Sequence, residues 1–170
     1  MGKKFAHPTG FHMPFLIDGY NLLRAMQKLD EQYDAVDEAG LCRILSEYIK
    51  RKQSFGQVVF DGLGPPDKSD LSGFGNIEVY FSGQDLEADD IIEDKILANT
   101  APKRLIVIST DRRIRAAAGQ RKAVSVRSEL FFDDVVKTLD RKTITPEPQE
   151  KRGGLTEAEA QEWIDFFDMD

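Results

Sequence analysis

Short apolar runs alternate with amphipathic helical patterns along most of this 170-residue chain, and that alternation limits the fold more than any other feature. The runs Pro14–Asp18, 57–61, Ile77–Phe81, 105–109 and Ala123–Val126 read as strands. Val58-Val59-Phe60 and Leu105-Ile106-Val107-Ile108 are continuously apolar, as expected for strands covered on both faces. Between them, Val36, Leu41, Ile44, Leu45, Tyr48 and Ile49 keep the i, i+3, i+4 spacing of one helix face. Further helices are read through about Lys28, over about 86–99 with Ala88, Ile91, Ile92 and Ile96 inside, over 111–120 with Gly119 as its end, and over 128–140. Strand–helix alternation implies an α/β fold: a parallel sheet in a three-layer α/β/α sandwich with right-handed crossovers.

In such a sheet the carboxyl ends of the strands share one edge, where ligands bind. Asp18 ends the first strand, Asp61 the second, and Asp111 follows the fourth; Asp89 opens a helix in Glu87-Ala88-Asp89-Asp90. Each alone has an ordinary structural role as a turn or cap residue. Together they would converge on one crevice, and mutually repelling carboxylates call for cations with a taste for oxygen, Mg²⁺ or Mn²⁺. On the 86–99 helix, Asp89 and Glu93 flank the apolar stripe while Asp90 points further away. Asn21, in Asp18-Gly19-Tyr20-Asn21, would hold water, phosphate or the orientation of Asp18.

A net charge of −7 argues against nucleic acid until its distribution is considered. Six of the acids lie in 156–170, a stretch without Lys or Arg, whereas 103–128 holds eight bases and one acid, Asp111. A basic stripe beside an acidic cluster suits a phosphodiester substrate. Arg112, Arg115 and Lys68 are the candidate contacts to flanking RNA phosphates, and Ser109 and Thr110 would position water and phosphate. Tyr20, Phe60 or Phe74 could stack on bases, although Phe60 reads better as core. His7 and His12 fall outside every motif, which disfavours a histidine acid–base mechanism. Asp-x-Asp after the first strand and a Gly-x-x-x-x-Gly-Lys-Ser/Thr loop are both missing, which disfavours a haloacid-dehalogenase-type phosphohydrolase and a P-loop enzyme.

Residues 1–13 read as a flexible N-terminus, 14–144 as the domain, 145–155 as a linker and 156–170 as an acidic amphipathic helix carrying Trp163, Ile164, Phe166 and Phe167. No apolar run approaches ~20 residues, so no membrane span is expected, and the single Cys42 sits on an apolar helix face as a buried, inert thiol. With no apolar leader in Met1–Met13, the expected location is cytoplasmic. The oligomeric state is left open, and the terminal helix could dock on this domain, on a partner or on a second copy.

Four segments resemble the NYN superfamily of PIN-like ribonucleases, most closely its YacP-like branch: Ile17-Asp18-Gly19-Tyr20-Asn21, Val58-Val59-Phe60-Asp61-Gly62, Ala88-Asp89-Asp90-Ile91-Ile92-Glu93 and Val107-Ile108-Ser109-Thr110-Asp111-Arg112. The resemblance spans about 14–142 and implies a PIN-like fold of central strand order 3-2-1-4-5. It implies Mg²⁺- or Mn²⁺-dependent endoribonuclease activity on RNA, single-stranded by expectation, either free or within a ribonucleoprotein assembly. Carried onto this chain, Asp18, Asp89 and Asp111 are the main acidic ligands, Asn21 and Asp61 support them, and Asp90 stays a candidate ligand. One position departs: Arg113 stands where many members have a second acid after the residue matching Asp111. The alternative is a module on the same fold that binds RNA or a ribonucleoprotein without cutting.

Overall fold

Five parallel strands form one sheet of order β3-β2-β1-β4-β5 in a computed structural model that describes residues 13–140. The strands are β1 (Phe15–Asp18), β2 (Gly56–Phe60), β3 (Ile77–Phe81), β4 (Ile106–Ile108) and β5 (Val124–Val126). The helices are α1 (Gly19–Leu29), α2 (Glu38–Arg51), α3 (Ala88–Ala98), α4 (Arg112–Gln120) and α5 (Ser128–Asp140). β1 is central, with Phe15 in register with Gly56 on one side and Ile106 on the other. All four residues of β1 are buried, as the continuous apolar run required.

The period-two alternation of side chains splits the core in two. Phe15, Ile17, Val58 and Phe60 pack with Leu22 and Met26 of α1, Leu41, Leu45 and Tyr48 of α2, and Phe131 and Val135 of α5. Leu16, Val59 and Val107 face the other way, onto Ala88, Ile92 and Ile96 of α3 and Ile114 and Ala118 of α4. This is the three-layer sandwich expected from the element order, with α1, α2 and α5 on one face and α3 and α4 on the other. Cys42 is fully buried in the first cluster, and burial pushes its thiol up to about 12.

Two boundaries differ from the sequence reading. Asp111 and Glu87 are the N-caps of α4 and α3, so both helices start one residue or more later than periodicity alone suggested. Gly119 lies inside α4; the chain turns instead at Lys122, whose φ of 62° takes the left-handed conformation. The expected N-terminal segment, linker and acidic C-terminal helix lie outside the described residues, as do His7 and His12. No helix among the described residues is long and apolar enough to cross a membrane.

Candidate active site

After β3 the chain returns to place β4 beside β1, so the order reverses between these two strands. Ligands of open α/β sheets bind at the carboxyl ends of the strands flanking such a switch. Here β1 delivers Asp18 and β4 leads into Ser109-Thr110-Asp111. A crevice of about 230 Å³ opens at this edge, lined by Asp18, Tyr20, Asn21, Arg24, Asp61, Glu87, Ala88, Asp89 and Asp111. Four aspartates from separate segments therefore line one crevice.

Asp18 lies deepest, with 8% of its surface exposed. Its Oδ2 accepts a hydrogen bond from Ser109 Oγ at 2.8 Å, and Ser109 Oγ in turn accepts from the Asp111 backbone N–H at 3.0 Å. Burial pushes the Asp18 carboxyl up from 3.8 to about 6 against the opposing Ser109 hydrogen bond; Asp89 and Asp111 add to the rise, and Arg24 offsets part of it. Asp89, in the first turn of α3, is also raised, by burial first and then by Asp111, with Arg113 opposing. Asp111 uses Oδ1 to cap α4 through the Arg113 backbone N–H at 2.8 Å, so its structural and its site roles coexist. Asp61 is exposed and ties the loops together: its Oδ1 accepts from the Ala88 N–H at 3.0 Å and from Ser82 Oγ at 3.3 Å. It fixes the start of α3, one residue from Asp89.

Asn21 is a joint between three segments. Its Oδ1 accepts from the Thr110 N–H at 2.9 Å and from Ser128 Oγ at 2.6 Å, linking α1 to the β4–α4 loop and to the start of α5. Thr110 Oγ1 donates to Glu129 Oε2 at 3.0 Å and accepts from the Ser128 N–H. Ser109 has no exposed surface, so it orients Asp18 instead of touching RNA. Ser109 is thus fully buried, and Thr110 is half-buried with its hydroxyl bonded to Glu129 and Ser128.

Several expected residues stand apart from the crevice. Asp90 is engaged elsewhere: one oxygen accepts from the Glu87 N–H at 2.9 Å and the other pairs with Arg113 at 2.7 Å. Glu93 also pairs with Arg113 and does not brace Asp89 by a hydrogen bond. Arg112, exposed in the first turn of α4, and the half-buried Arg115 do not line the crevice, nor does Lys68, which donates to the Pro65 carbonyl at 2.9 Å and lies over the Phe81 ring. Phe60 is fully buried and Phe74 packs on the core; only Tyr20, tilted on Phe60 with centroids 4.9 Å apart, reaches the crevice.

Sequence reasoning missed Arg24, the one cation among the lining residues. The signal was available: Arg24 follows Tyr20 by four residues and Asn21 by three, which places all three on one helix face. Its guanidinium lies 5.9 Å from the Tyr20 ring centroid. Ser82 and Ser128, which brace Asp61 and Asn21, carry no motif and could not have been found.

Gly19 sets how closely α1 can begin. A Cβ there would meet the Phe60 ring at 2.5 Å, and Phe60 is locked in the core. Gly19→Ala is expected to cost about 1–3 kcal/mol in a denaturant melt and to displace Asp18 and Asn21 on either side.

The donors suit a hard divalent cation by chemistry and charge: they are all oxygen, negatively charged, and opposed within the crevice by Arg24 alone. Among the described residues no group of three His, Cys, Asp or Glu side chains is already gathered around one point for an ion.

No curated protein matches the chain. The fold is similar to crystal structures of Rae1 (YacP) from Bacillus subtilis. One has 22% sequence identity and a TM-score of 0.62, covering 91% of this chain and 91% of that chain. A mutant form has 19% identity and a TM-score of 0.58, covering 90% and 98%. Residues 15–164 match the family model of the YacP-like NYN domain. The chain thus belongs to the YacP-like NYN family of PIN-like ribonucleases.

Proposed function

We propose that the crevice cleaves RNA, as a metal-dependent endoribonuclease acting on single strands. The observation that carries this reading is the lining of one crevice at the switch point of the sheet by Asp18, Asp61, Asp89 and Asp111, with the charge of Asp18 resisted first by burial and then by two neighbouring acids. Asp18, Asp89 and Asp111 would hold Mg²⁺ or Mn²⁺. A bound ion of this kind supplies an activated water and neutralises charge at the scissile phosphate.

The chain's own residues do the rest. Ser109 keeps Asp18 turned into the crevice, and Asn21 keeps the Thr110-Asp111 segment at its rim. Asp61 fixes the start of α3 and hence Asp89. Arg24 reaches the phosphate, and Tyr20 offers a ring face for a base to stack on. Arg112 opens α4 and Arg115 lies one turn on, where they would meet the backbone beyond the cut. A cytoplasmic location and RNA presented within a ribonucleoprotein assembly both suit this reading.

A binding-only module on the same fold is the second reading. Labelled single-stranded RNA, duplex RNA and single-stranded DNA, each incubated with Mn²⁺, Mg²⁺ or EDTA, separate the two. Cleavage of single-stranded RNA that EDTA abolishes is the expected result; RNA bound and left intact with Mn²⁺ present means the binding module.

A further inference from the structure

Arg113, in the first turn of α4, is the centre of an ion-pair network. Its guanidinium reaches from the first turn of α4 across to α3. It hydrogen-bonds Glu93 through Nε, pairs with Asp90 at 2.7 Å through Nη2, and stands 3.8 Å from Glu87 through Nη1. One side chain thus takes up three carboxylates of the acidic run that opens α3. Its backbone N–H meanwhile donates to Asp111 Oδ1 at 2.8 Å. The same residue grips the helix that carries Asp89 and the carboxylate of Asp111.

We infer that Arg113 is a built-in cation that restricts this crevice to a single divalent ion. The inference rests on the metal reading given above and adds the number of ions. Glu87 lines the crevice, and Asp90 and Glu93 lie within one helical turn of Asp89. Left unpaired, Glu87 would add its oxygens to the crevice, and Asp90 and Glu93 beside it would add negative charge at the rim that draws a second ion. Arg113 neutralises them with a fixed positive charge. That charge also acts on Asp89, where it opposes the neighbouring acids. A second divalent ion placed beside the guanidinium would meet direct repulsion. The planar, permanently charged fork makes arginine better suited to this role than a mobile ammonium.

The test is a calorimetric Mn²⁺ titration of the full chain at neutral pH and low salt, which reads stoichiometry and affinity without any substrate. The wild type is expected to bind one ion. Arg113→Gln, which frees the three acids, is expected to bind the first ion about 3–10-fold more tightly and to take up a second, weaker one. Arg113→Lys keeps the charge and is expected to stay at one ion with near wild-type affinity, whereas a purely geometric clamp would make Lys behave like Gln. Arg113→Asp puts an acid into the first turn of α4, where the helix dipole tolerates it, and is expected to bind two ions. The network is solvent-exposed, so Arg113→Gln and Arg113→Lys are expected to melt close to the wild type, and Arg113→Asp, which faces three acids, to melt lower without metal. Two ions on the wild type, or an Arg113→Gln variant with unchanged or weaker binding and one ion, would overturn the inference while leaving the metal site standing. No ion on the wild type would remove the metal reading and this inference together.

Discussion

Replacing Asp18 with Asn is expected to abolish cleavage and, at the same time, to raise the stability of the metal-free protein. The carboxylate is buried at the end of the central strand with Asp89 and Asp111 close enough to raise its pKa, and one hydroxyl is its only hydrogen-bond donor among the described residues. The rise from 3.8 to about 6 corresponds to up to about 3 kcal/mol of folding energy forgone at neutral pH. Asn keeps the shape and still accepts from Ser109 Oγ, but carries no charge. The variant should therefore melt roughly 5–10 °C above the metal-free wild type. Without the charge, affinity for the ion falls and the rate is expected to drop by ~10³-fold or more, since several kcal/mol of transition-state stabilisation go with it. A variant that melts below the wild type would contradict the electrostatic account of the crevice.

The same shift fixes the sign of the pH dependence. Between about pH 4 and 6 the folded chain keeps a proton on Asp18 that the unfolded chain has lost, so more protons are bound in the native state and this group's contribution to stability falls as pH rises. Above about 6 both states are ionised and the loss is complete. Metal-free wild type should show this decline in denaturant melts from pH 4 to 7, and in Asp18→Asn it should shrink to the part that Asp89 carries. Mn²⁺ at 100 times its dissociation constant should return about 2.7 kcal/mol to the wild type at neutral pH.

Asn21→Ala is expected to damage the fold and the site together. It removes the acceptor shared by the Thr110 N–H and the fully buried Ser128 hydroxyl. Leaving these donors without a partner costs about 2–3 kcal/mol. The segment they hold ends in Asp111, and a displacement of about 1 Å there is enough for a ~10²-fold loss of rate. Asn21→Asp retains both acceptor bonds but adds another carboxylate to the acidic crevice, so it should recover only part of the stability. If Asn21→Ala melts with the wild type, Asn21 is not the joint described above.

What the sequence disclosed and what it hid follow from range. The strands were legible because β1, β2 and β4 are buried on both faces and so must be continuously apolar. Asp18, Asp61 and Asp111 could be placed because a parallel sheet sends every strand's carboxyl end to one edge. Asp89 was separable from Asp90 because helical periodicity alone turns one toward the core and the other away. The pairing of Asp90 and Glu93 with Arg113 was not legible, since it depends on α3 and α4 packing side by side. Nor were the burial of Ser109 and the Asn21–Ser128 bond, which joins residues 107 positions apart. Arg24 was within reach, one helical turn beyond the motif and on the face it shares with Tyr20 and Asn21. The basic stripe was read as one surface; in the fold Arg113 is spent on acids and Arg121 donates to the Asn99 carbonyl, so fewer of its charges face a substrate.

The most direct test follows a single end-labelled single-stranded RNA with the full chain in excess, in Mn²⁺ and in EDTA, beside Asp18→Asn at equal concentration. The expected result is internal cleavage by the wild type in Mn²⁺ only, with Asp18→Asn folded, more heat-resistant than the metal-free wild type, and inactive. Equal cleavage by Asp18→Asn, or cleavage that persists in EDTA, would contradict the account.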